Sequence, residues 1–196
     1  YVNECLGKIS LSSKHLLNLI NDVLDMSKIA HRDMELNREC VSLNELVEQV
    51  CTMVRPQALE KHQQFHVKIG TISHEYFYGD GLRINQILIN ILGNAVKFTP
   101  EGGQVTMHVF QSAEGERILT TYQVEDTGCG ISGEFRQKIF DSFSQERSSI
   151  SQGCRGTGLG MSISSLLAKQ MGGTLKFWPH RVLPAYGPPM GVKQLN

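Results

Sequence analysis

The residues with the clearest capacity for chemistry lie on one side of a helix that the pattern predicts between Asp80 and Lys97. A helical projection groups its polar side chains opposite an apolar face; the polar set is Gln86, Asn90, Asn94 and Lys97, and the apolar set is Ile84, Leu88, Ile91, Leu92 and Ala95. Because asparagine is a poor helix former, two mid-helix asparagines indicate amide oxygens that bind a metal or a ligand. An ordinary solvated face is the alternative.

A second candidate is the turn Glu125-Asp126-Thr127-Gly128-Cys129-Gly130-Ile131, which follows a predicted strand. An aspartate held at a strand end can accept a hydrogen bond from an exocyclic amine, and glycines let the backbone approach a ligand closely. A plain turn is the alternative.

A third candidate is Gly156-Thr157-Gly158-Leu159-Gly160, directly before an apolar helix. Glycines that open a helix offer backbone N–H groups and the positive end of the helix dipole to phosphate. The spacing matches neither the P-loop nor the dinucleotide-binding fingerprint, and a simple helix-entry loop is the alternative. Phe140 and Phe143 come before this segment, followed by a polar stretch at 144–154 that we expect to be a mobile lid.

Predicted helices and strands must position these segments. Residues 1–30 predict an amphipathic helix with two rows that repeat every seven residues; the rows are Leu6, Ser13, Ile20 and Ser27, and Ile9, Leu16, Val23 and Ala30. A linker at 31–42 precedes a helix that begins near Leu43, behind the capping box of Ser42 and Glu45. Strands are predicted at Gln64–Ile69, Tyr76–Gly79, Gln104–Phe110, Arg117–Glu125 and Thr174–Trp178, and a last helix runs through about Met171. The fold class is α+β, a mixed and mostly antiparallel sheet backed by three helices and preceded by one long helix.

Composition excludes several classes of protein. The 196 residues carry 19 basic and 19 acidic side chains, and this balance argues against a dedicated nucleic-acid binder. No apolar run approaches the length of a membrane span. The five cysteines include no CxxC pair, which favours reduced thiols in a cytosolic protein over a disulfide framework or a zinc site.

Taken together and in order, the segments resemble the nucleotide-binding boxes of sensor histidine kinases. Asn90-Ile-Leu-Gly-Asn94-Ala-Val-Lys97-Phe-Thr-Pro is similar to the N box, and Asp126-Thr-Gly-Cys-Gly130 to the first glycine box. Phe140-Asp-Ser-Phe143 resembles the F box, and Gly156-Thr-Gly-Leu-Gly160 the second glycine box. The opening helix is similar to the second helix of the dimerisation and phosphotransfer hairpin. The resemblance covers roughly residues 1–178.

This resemblance implies an ATP-binding domain and assigns roles to its residues. Asn94 would coordinate Mg²⁺ between phosphates with support from Asn90, and Lys97 would meet phosphate oxygens. Asp126 would accept a hydrogen bond from the adenine amino group, with the neighbouring turn shaping that end of the pocket. The remaining nucleotide-binding positions are expected at Gly128, Gly130, Ile131, Phe143, Gly156, Thr157, Gly158, Leu159 and Gly160.

The implied activity is transfer of the ATP γ-phosphate to a histidine, and from it to a response-regulator receiver domain, in the cytoplasm. Hydrolases of the same superfamily, gyrase and the heat-shock chaperones, place a glutamate base where this chain has Asn90. An amide cannot take a proton from water, so hydrolysis is a remote alternative. A non-enzymatic nucleotide-binding or dimerisation module is the nearer one.

The sequence departs from the family pattern at two places. No histidine stands in the family's acceptor context, so we expect that this fragment cannot phosphorylate itself. The first helix of the family's hairpin is also missing, which leaves the apolar seam of residues 6–30 without its partner, so we expect self-association through this helix. Four prolines within 179–189 are incompatible with an interior strand, so we expect a disordered or foreign tail and a sheet that lacks its last strand. The predicted organisation is a hairpin helix at 1–31, a catalytic ATP-binding domain at 32–178 and the tail at 179–196.

Overall fold

The computed structural model describes residues 35–114, 117–145, 157–177 and 190–193, together with positions 6–7, 13, 16–17, 20–21, 23–24 and 26–27 of the opening segment. All of these opening positions are helical, which confirms the expected leading helix. None of the helices described combines the length and hydropathy that crossing a bilayer would require.

Four further helices are described: α1 (Leu43–Glu60), α2 (Gly81–Phe98), the single turn α3 (Gly133–Arg136) and α4 (Gly160–Gln170). Two predicted caps are confirmed. The Ser42 hydroxyl accepts a hydrogen bond from the Glu45 N–H at 3.3 Å, and Asp80 Oδ1 accepts one from the Arg83 N–H at 3.0 Å. These side chains satisfy backbone donors that the first turn of a helix leaves unpaired, so they determine where α1 and α2 begin.

The strands in the described part of the chain form two sheets. The larger sheet has five strands: β2 (Gln64–Ile69), β4 (Gln104–Glu114), β5 (Arg117–Asp126), β6 (Thr174–Phe177) and β7 (Met190–Lys193). Their order across the sheet is β2-β4-β5-β7-β6. The β2–β4 pair is parallel, and the other three pairs are antiparallel. A separate antiparallel pair consists of β1 (Glu39–Ser42) and β3 (Tyr76–Gly79). The mixed, mostly antiparallel sheet is confirmed.

One hydrophobic core joins the large sheet to α1, α2 and α4. The inward residues of β4 alternate along the strand, as Val105, Met107 and Val109 are at most 1% exposed. They face apolar side chains of the helices, such as Leu88 and Leu167, which are fully buried. This layer of three helices on one sheet agrees with the predicted fold class, and it places the polar face of α2 away from the core.

The opening helix meets the domain close to its last described turn. Met26 packs against the hydrophobic core, and its sulfur lies 3.7 Å from the Ser142 hydroxyl, which donates to it. Other apolar side chains of this helix are exposed, Leu17 by 60% and Leu24 by 51%.

Two expectations about the strands are wrong. Residues 39–42 are a strand rather than part of a linker, because β1 pairs with β3, a partner more than thirty residues further along the chain. The sheet does not lack its last strand, since Met190–Lys193 lies between β5 and β6. This strand begins directly after Pro189, so no proline interrupts its hydrogen bonding. Residues 178–189 lie outside the described part of the chain, and the domain boundary near 178 stays a prediction.

Candidate functional site

The polar face of α2 lies at the rim of the domain rather than fully in solvent. Asn90, Asn94 and Lys97 are each partly exposed, whereas Ile91 and Leu92 are completely buried on the other side of the helix. The predicted division of this helix into a core face and a polar face is therefore confirmed. Two amides and an ammonium follow one another at successive turns along one edge of the domain.

Asn90 holds α2 against α4. Its side-chain Nδ2 donates a hydrogen bond to the Ser164 hydroxyl at 2.9 Å, and Ser164 is 1% exposed. Gly160 stands opposite the same amide: a Cβ at this position would lie 2.7 Å from Nδ2 and 2.9 Å from Cγ of Asn90. The last glycine of the third candidate segment therefore makes room for the N-box side chain, and a larger residue there would force the Asn90 amide to move.

Asp126 ends β5 in a partly buried position. Burial raises the pKa of its carboxyl group, an effect that the hydrogen bond from the Gly128 N–H to Oδ1 (2.8 Å) partly offsets. Because this carboxylate is partly withdrawn from water, any hydrogen-bond donor that a ligand brings to it would stabilise its charged form. Recognition of an amino group by this carboxylate stays a prediction.

The turn that follows Asp126 rests on the C-terminal end of α2. The Cys129 N–H donates to the Phe98 carbonyl at 3.4 Å, and a Cβ on Gly128 would lie 2.8 Å from that same oxygen. The Lys97 ammonium lies 5.0 Å from the centre of the Phe98 ring. Glycine at 128 thus permits a backbone contact that brings the first glycine box beside the lysine of the N box.

The second glycine box packs against the F box. Gly158 has a φ of +72°, and a Cβ there would lie 2.9 Å from the carbonyl carbon of Phe143, which itself has a φ of 62°. The Thr157 hydroxyl accepts from the Leu159 N–H at 3.2 Å and shapes the entry to α4. The Leu159 side chain is fully buried in the core, so only its backbone could meet a ligand. Phe143 exposes 65% of its surface.

Two further predicted positions lie beyond the first glycine box. Gly130 has a φ of 70°, a left-handed conformation that glycine adopts without strain, and Ile131 is partly buried. The Ile131 carbonyl accepts from Arg136 Nε of α3 at 3.3 Å. Gly156 and most of the predicted lid, residues 146–156, lie outside the described residues.

A cavity of about 520 Å³ opens at the C-terminal end of α2. Its lining residues are Glu60, Lys61, Lys97, Phe98, Thr99, Pro100, Glu101, Thr127, Gly128 and Cys129. Among the predicted site residues that the structure describes, Lys97 and Gly128 line it. Asn90, Asn94 and Asp126 do not, so the predicted site extends from this cavity toward α4 along the polar face of α2.

Sequence reasoning missed three residues that organise the site. Ser164 orients Asn90, and Lys61 and Gln63 hydrogen-bond to the last carbonyls of α2. Ser164 could have been suspected, because it stands among the apolar residues of α4. Lys61 and Gln63 belong to the turn between α1 and β2, and nothing in their local sequence marks them.

The donor groups near the site favour a metal that takes few protein ligands. Within the described ranges, no cluster of three or more His, Cys, Asp or Glu side chains is suitable for holding a metal ion. The oxygen donor that precedes Lys97 on the polar face is the amide of Asn94. Such a donor set fits Mg²⁺, which commonly binds one or two protein oxygens together with substrate phosphates and water.

Comparison with known proteins identifies the family. Residues 79–188 match the family model described as histidine kinase-, DNA gyrase B- and HSP90-like ATPase, which is more than half of the chain. The sensory/regulatory protein RpfC of Xanthomonas campestris is 35% identical over 177 residues, which are 89% of this chain and 24% of RpfC. The hybrid signal transduction histidine kinase B of Dictyostelium discoideum is 39% identical over 173 residues, 88% of this chain and 9% of that protein.

A solved structure shares the fold over nearly the whole chain. The crystal structure of full-length ShkA in complex with AMPPNP superposes with a TM-score of 0.81 at 30% identity, covering 97% of this chain and 38% of ShkA. The chain thus spans a quarter or less of the two curated relatives. From the matched residues and the shared fold, the chain belongs to the family of histidine kinase-, DNA gyrase B- and HSP90-like ATPases.

Proposed function

We propose that this chain is the ATP-binding catalytic part of a two-component sensor histidine kinase, and that it transfers the ATP γ-phosphate to a histidine outside the fragment. The observation that carries the proposal is that four separate sequence segments, one of them on α2, pack against one another. The turn after Asp126 packs on the end of the helix, Gly160 packs on Asn90, and Gly158 packs on Phe143. The family membership and the named kinases among its relatives support it.

In the proposed complex, Asp126 accepts a hydrogen bond from the adenine amino group, with Gly128, Gly130 and Ile131 around it. Lys97 pairs with phosphate oxygens. The N–H groups of the second glycine box face the phosphates at the N-terminus of α4, where the helix dipole favours an anion.

Bound Mg²⁺, held by the Asn94 amide oxygen and the phosphates, would neutralise charge that develops during phosphoryl transfer. The chain itself binds and orients the nucleotide. Lys97 contributes a further positive charge, and the Asn90 amide keeps α2 and α4 in register through Ser164. Positioning of this kind supplies most of the catalysis in phosphoryl transfer, so no protein base is needed on the nucleotide side.

The chemistry and the contacts of Asn90 argue against the hydrolase alternative. Its amide has no basic lone pair for a water proton, and it is engaged with Ser164 at 2.9 Å. A non-enzymatic nucleotide-binding or dimerisation module remains the second candidate, favoured by the exposed apolar side chains of the opening helix.

Calorimetry with ATP, with and without Mg²⁺, tests the nucleotide site. We expect Asp126→Asn to weaken ATP binding about ten-fold, because the amide offers one acceptor in place of a charged pair of oxygens. Glu48→Gln, which removes a carboxylate from the exposed side of α1, is the matched control and should bind as the unmodified chain does. Unchanged affinity in Asp126→Asn means that the pocket has been assigned wrongly.

We also propose that the fragment does not phosphorylate itself, because none of its histidines has the acceptor context of the family. The chain is incubated with γ-labelled ATP, alone and together with a phosphotransfer hairpin of a related kinase. Label is expected only on the added hairpin. Acid-labile label on a histidine of this chain alone contradicts the proposal, and binding of ATP with no transfer to any hairpin favours the non-enzymatic module.

Homodimerisation through residues 1–30 is a further part of the proposal. Leu6, Leu16, Leu17, Ile20, Val23 and Leu24 are each 46–60% exposed. Pairing with a second copy would bury this apolar stripe and so lower its free energy. Sedimentation velocity should show concentration-dependent association that Leu17→Glu with Leu24→Glu abolishes; a monomer at every concentration refutes it.

The remaining parts of the proposal concern location and partner. We place the domain in the cytoplasm, where ATP is available as the phosphate donor. The downstream partner is a receiver domain of a response regulator, and the hybrid kinase among the relatives supports this.

A further inference from the structure

The C-terminal end of α2 is covered by two side chains from another part of the chain. Lys61 Nζ donates to the carbonyls of Val96 at 2.9 Å and Lys97 at 2.8 Å. Gln63 Nε2 donates to the carbonyls of Val96 at 3.0 Å and Thr99 at 2.6 Å. A helix end leaves its last carbonyls without partners, so these two residues together form a side-chain cap, here called the α2 cap.

The backbone of the α1–β2 turn presents the α2 cap. His62 lies between the two cap residues with a φ of 51°, a left-handed conformation that few residues other than glycine adopt. The Lys61 carbonyl accepts from the Gly102 N–H at 3.3 Å, and the Gln64 N–H donates to the Gly103 carbonyl at 2.8 Å. The turn is thereby tied to the segment that follows the helix end.

Gln63 is 7% exposed, so its amide is a structural part of the helix end and not a surface contact. The same helix end carries the Phe98 carbonyl that receives the Cys129 N–H. A shift of this end would move Lys97 relative to the Asp126 turn, and these are the two sides of the proposed nucleotide site.

Charge provides a second reason for the cap. The C-terminus of a helix carries partial negative charge, yet Lys97 in the last turn of α2 is expected to meet phosphate. Unpaired carbonyls would repel an anion at this place. Lys61 brings a positive charge to two of these carbonyls, and it lines the same cavity as Lys97.

We propose that Lys61 and Gln63 are positioning residues of the nucleotide site: Gln63 fixes the end of α2 against the Asp126 turn, and Lys61 offsets the negative pole of the helix beside the bound polyphosphate. This inference rests on the proposed ATP site and deepens it. Neither residue belongs to any of the four boxes.

The two roles predict different ligand dependence. Lys61→Met should weaken ATP binding by about five- to ten-fold and adenosine binding by much less, because the lost charge acts on phosphate. Lys61→Arg should restore most of the ATP affinity. Gln63→Met should weaken ATP and adenosine binding by similar factors, because it disturbs the position of the helix end and not its charge.

The experiment measures dissociation constants for Mg·ATP and adenosine by calorimetry on the 196-residue chain, with the melting temperature of every variant. Lys68→Met, an exposed lysine on β2, is the charge-matched control. Leu175→Ala on β6 is a core variant outside both α2 and the α1–β2 turn, and it should lower the melting temperature. A purely structural role predicts that Leu175→Ala and Gln63→Met lose affinity alike once both are compared at equal fractions folded.

The outcomes separate this inference from the proposed function. If the unmodified chain binds no ATP, the proposed function and this inference both fail. If it binds ATP and the Lys61 and Gln63 variants bind as tightly, only the positioning role fails. An equal loss of ATP and adenosine binding in Lys61→Met, or a loss as large in Lys68→Met, overturns the electrostatic role of Lys61.

Discussion

Replacing Gly160 with alanine should destabilise the domain, because the new methyl group would collide with Asn90. The added Cβ would lie 2.7 Å from Nδ2 and 2.9 Å from Cγ of that side chain. Gly160 has a helical φ, so alanine is compatible with the backbone and the clash is the cause of the penalty. The clashing atoms are the end of the Asn90 side chain, so the amide can move aside, and the penalty comes from breaking its hydrogen bond to the buried Ser164 hydroxyl, which costs about 1–3 kcal/mol.

Alanine also has a better helix propensity than glycine, which offsets about 0.5–1 kcal/mol of this loss in stability. The net free energy of unfolding should therefore fall by about 1 kcal/mol, which corresponds to a melting temperature lower by about 2–4 °C in a domain of this size. Gly93→Ala is the matched control. This glycine lies inside α2 with no atom within 4 Å of the place that an added methyl group would take, so alanine there should stabilise the domain by about 0.5–1 kcal/mol.

Thermal and urea unfolding of a double-mutant cycle provides the decisive measurement. In an Asn90→Ala background the obstructing amide is gone, so Gly160→Ala should cost little or become favourable. Contacting residues in such cycles commonly show coupling free energies of about 0.5–3 kcal/mol. If Gly160→Ala costs the same in both backgrounds, the packing explanation for this glycine is refuted.

Three further predictions concern charge, thiol access and capping. Because burial raises the pKa of Asp126 above 3.8, the native state holds this proton more tightly than the unfolded chain and loses stability as pH rises through the native pKa. Asp126→Asn should thus be more stable than the unmodified chain at pH 7. In urea unfolding, the difference between the two midpoints should vanish below about pH 4. A difference that does not change with pH contradicts the role of burial. Mg·ATP should slow the reaction of a thiol reagent with the exposed Cys129 but not with the exposed Cys40, and peptide mapping of the labelled chain measures both rates. If Mg·ATP protects both cysteines equally, or protects neither, no ligand binds at the turn. Asp80→Ala removes the acceptor for two backbone N–H groups, at 3.0 Å each, and should lower the free energy of unfolding measured in urea by about 2 kcal/mol. Asp80→Asn keeps an acceptor oxygen and should lose less stability. Equal stability of the two variants excludes the cap.

Local sequence signals predicted the elements well because they depend on short-range physics. The periodicity of apolar residues placed α2 with its core face and its polar face, and the side chains of Ser42 and Asp80 marked two helix starts. Each of these signals compares a residue with neighbours a few positions away. They could not reveal β1, whose hydrogen-bond partners at Tyr76–Gly79 are distant in sequence.

The prolines show how a correct local rule led to a wrong expectation. Proline cannot serve in an interior strand, and residues 179–189 contain four of them. The strand that fills the sheet uses only the residues after Pro189, and it is held there by pairing with β5 on one side and β6 on the other. Strand pairing across the sheet decided this, and the composition of the tail did not.

The amino-acid sequence by itself selected the segments that are proposed to carry the site: the asparagines and lysine of α2, Asp126 with its turn, and the glycines before α4. It did so because backbone access, amide oxygens and carboxylates are chemical properties of the residues. Only the tertiary structure showed what the small size of Gly128 and Gly160 accommodates. Gly128 admits the Phe98 carbonyl, Gly160 admits Asn90, and each distance joins atoms from separate elements. Packing between elements is a property of the fold, and the part played by Lys61 and Gln63 could be recognised only where the chain brings them to the end of α2.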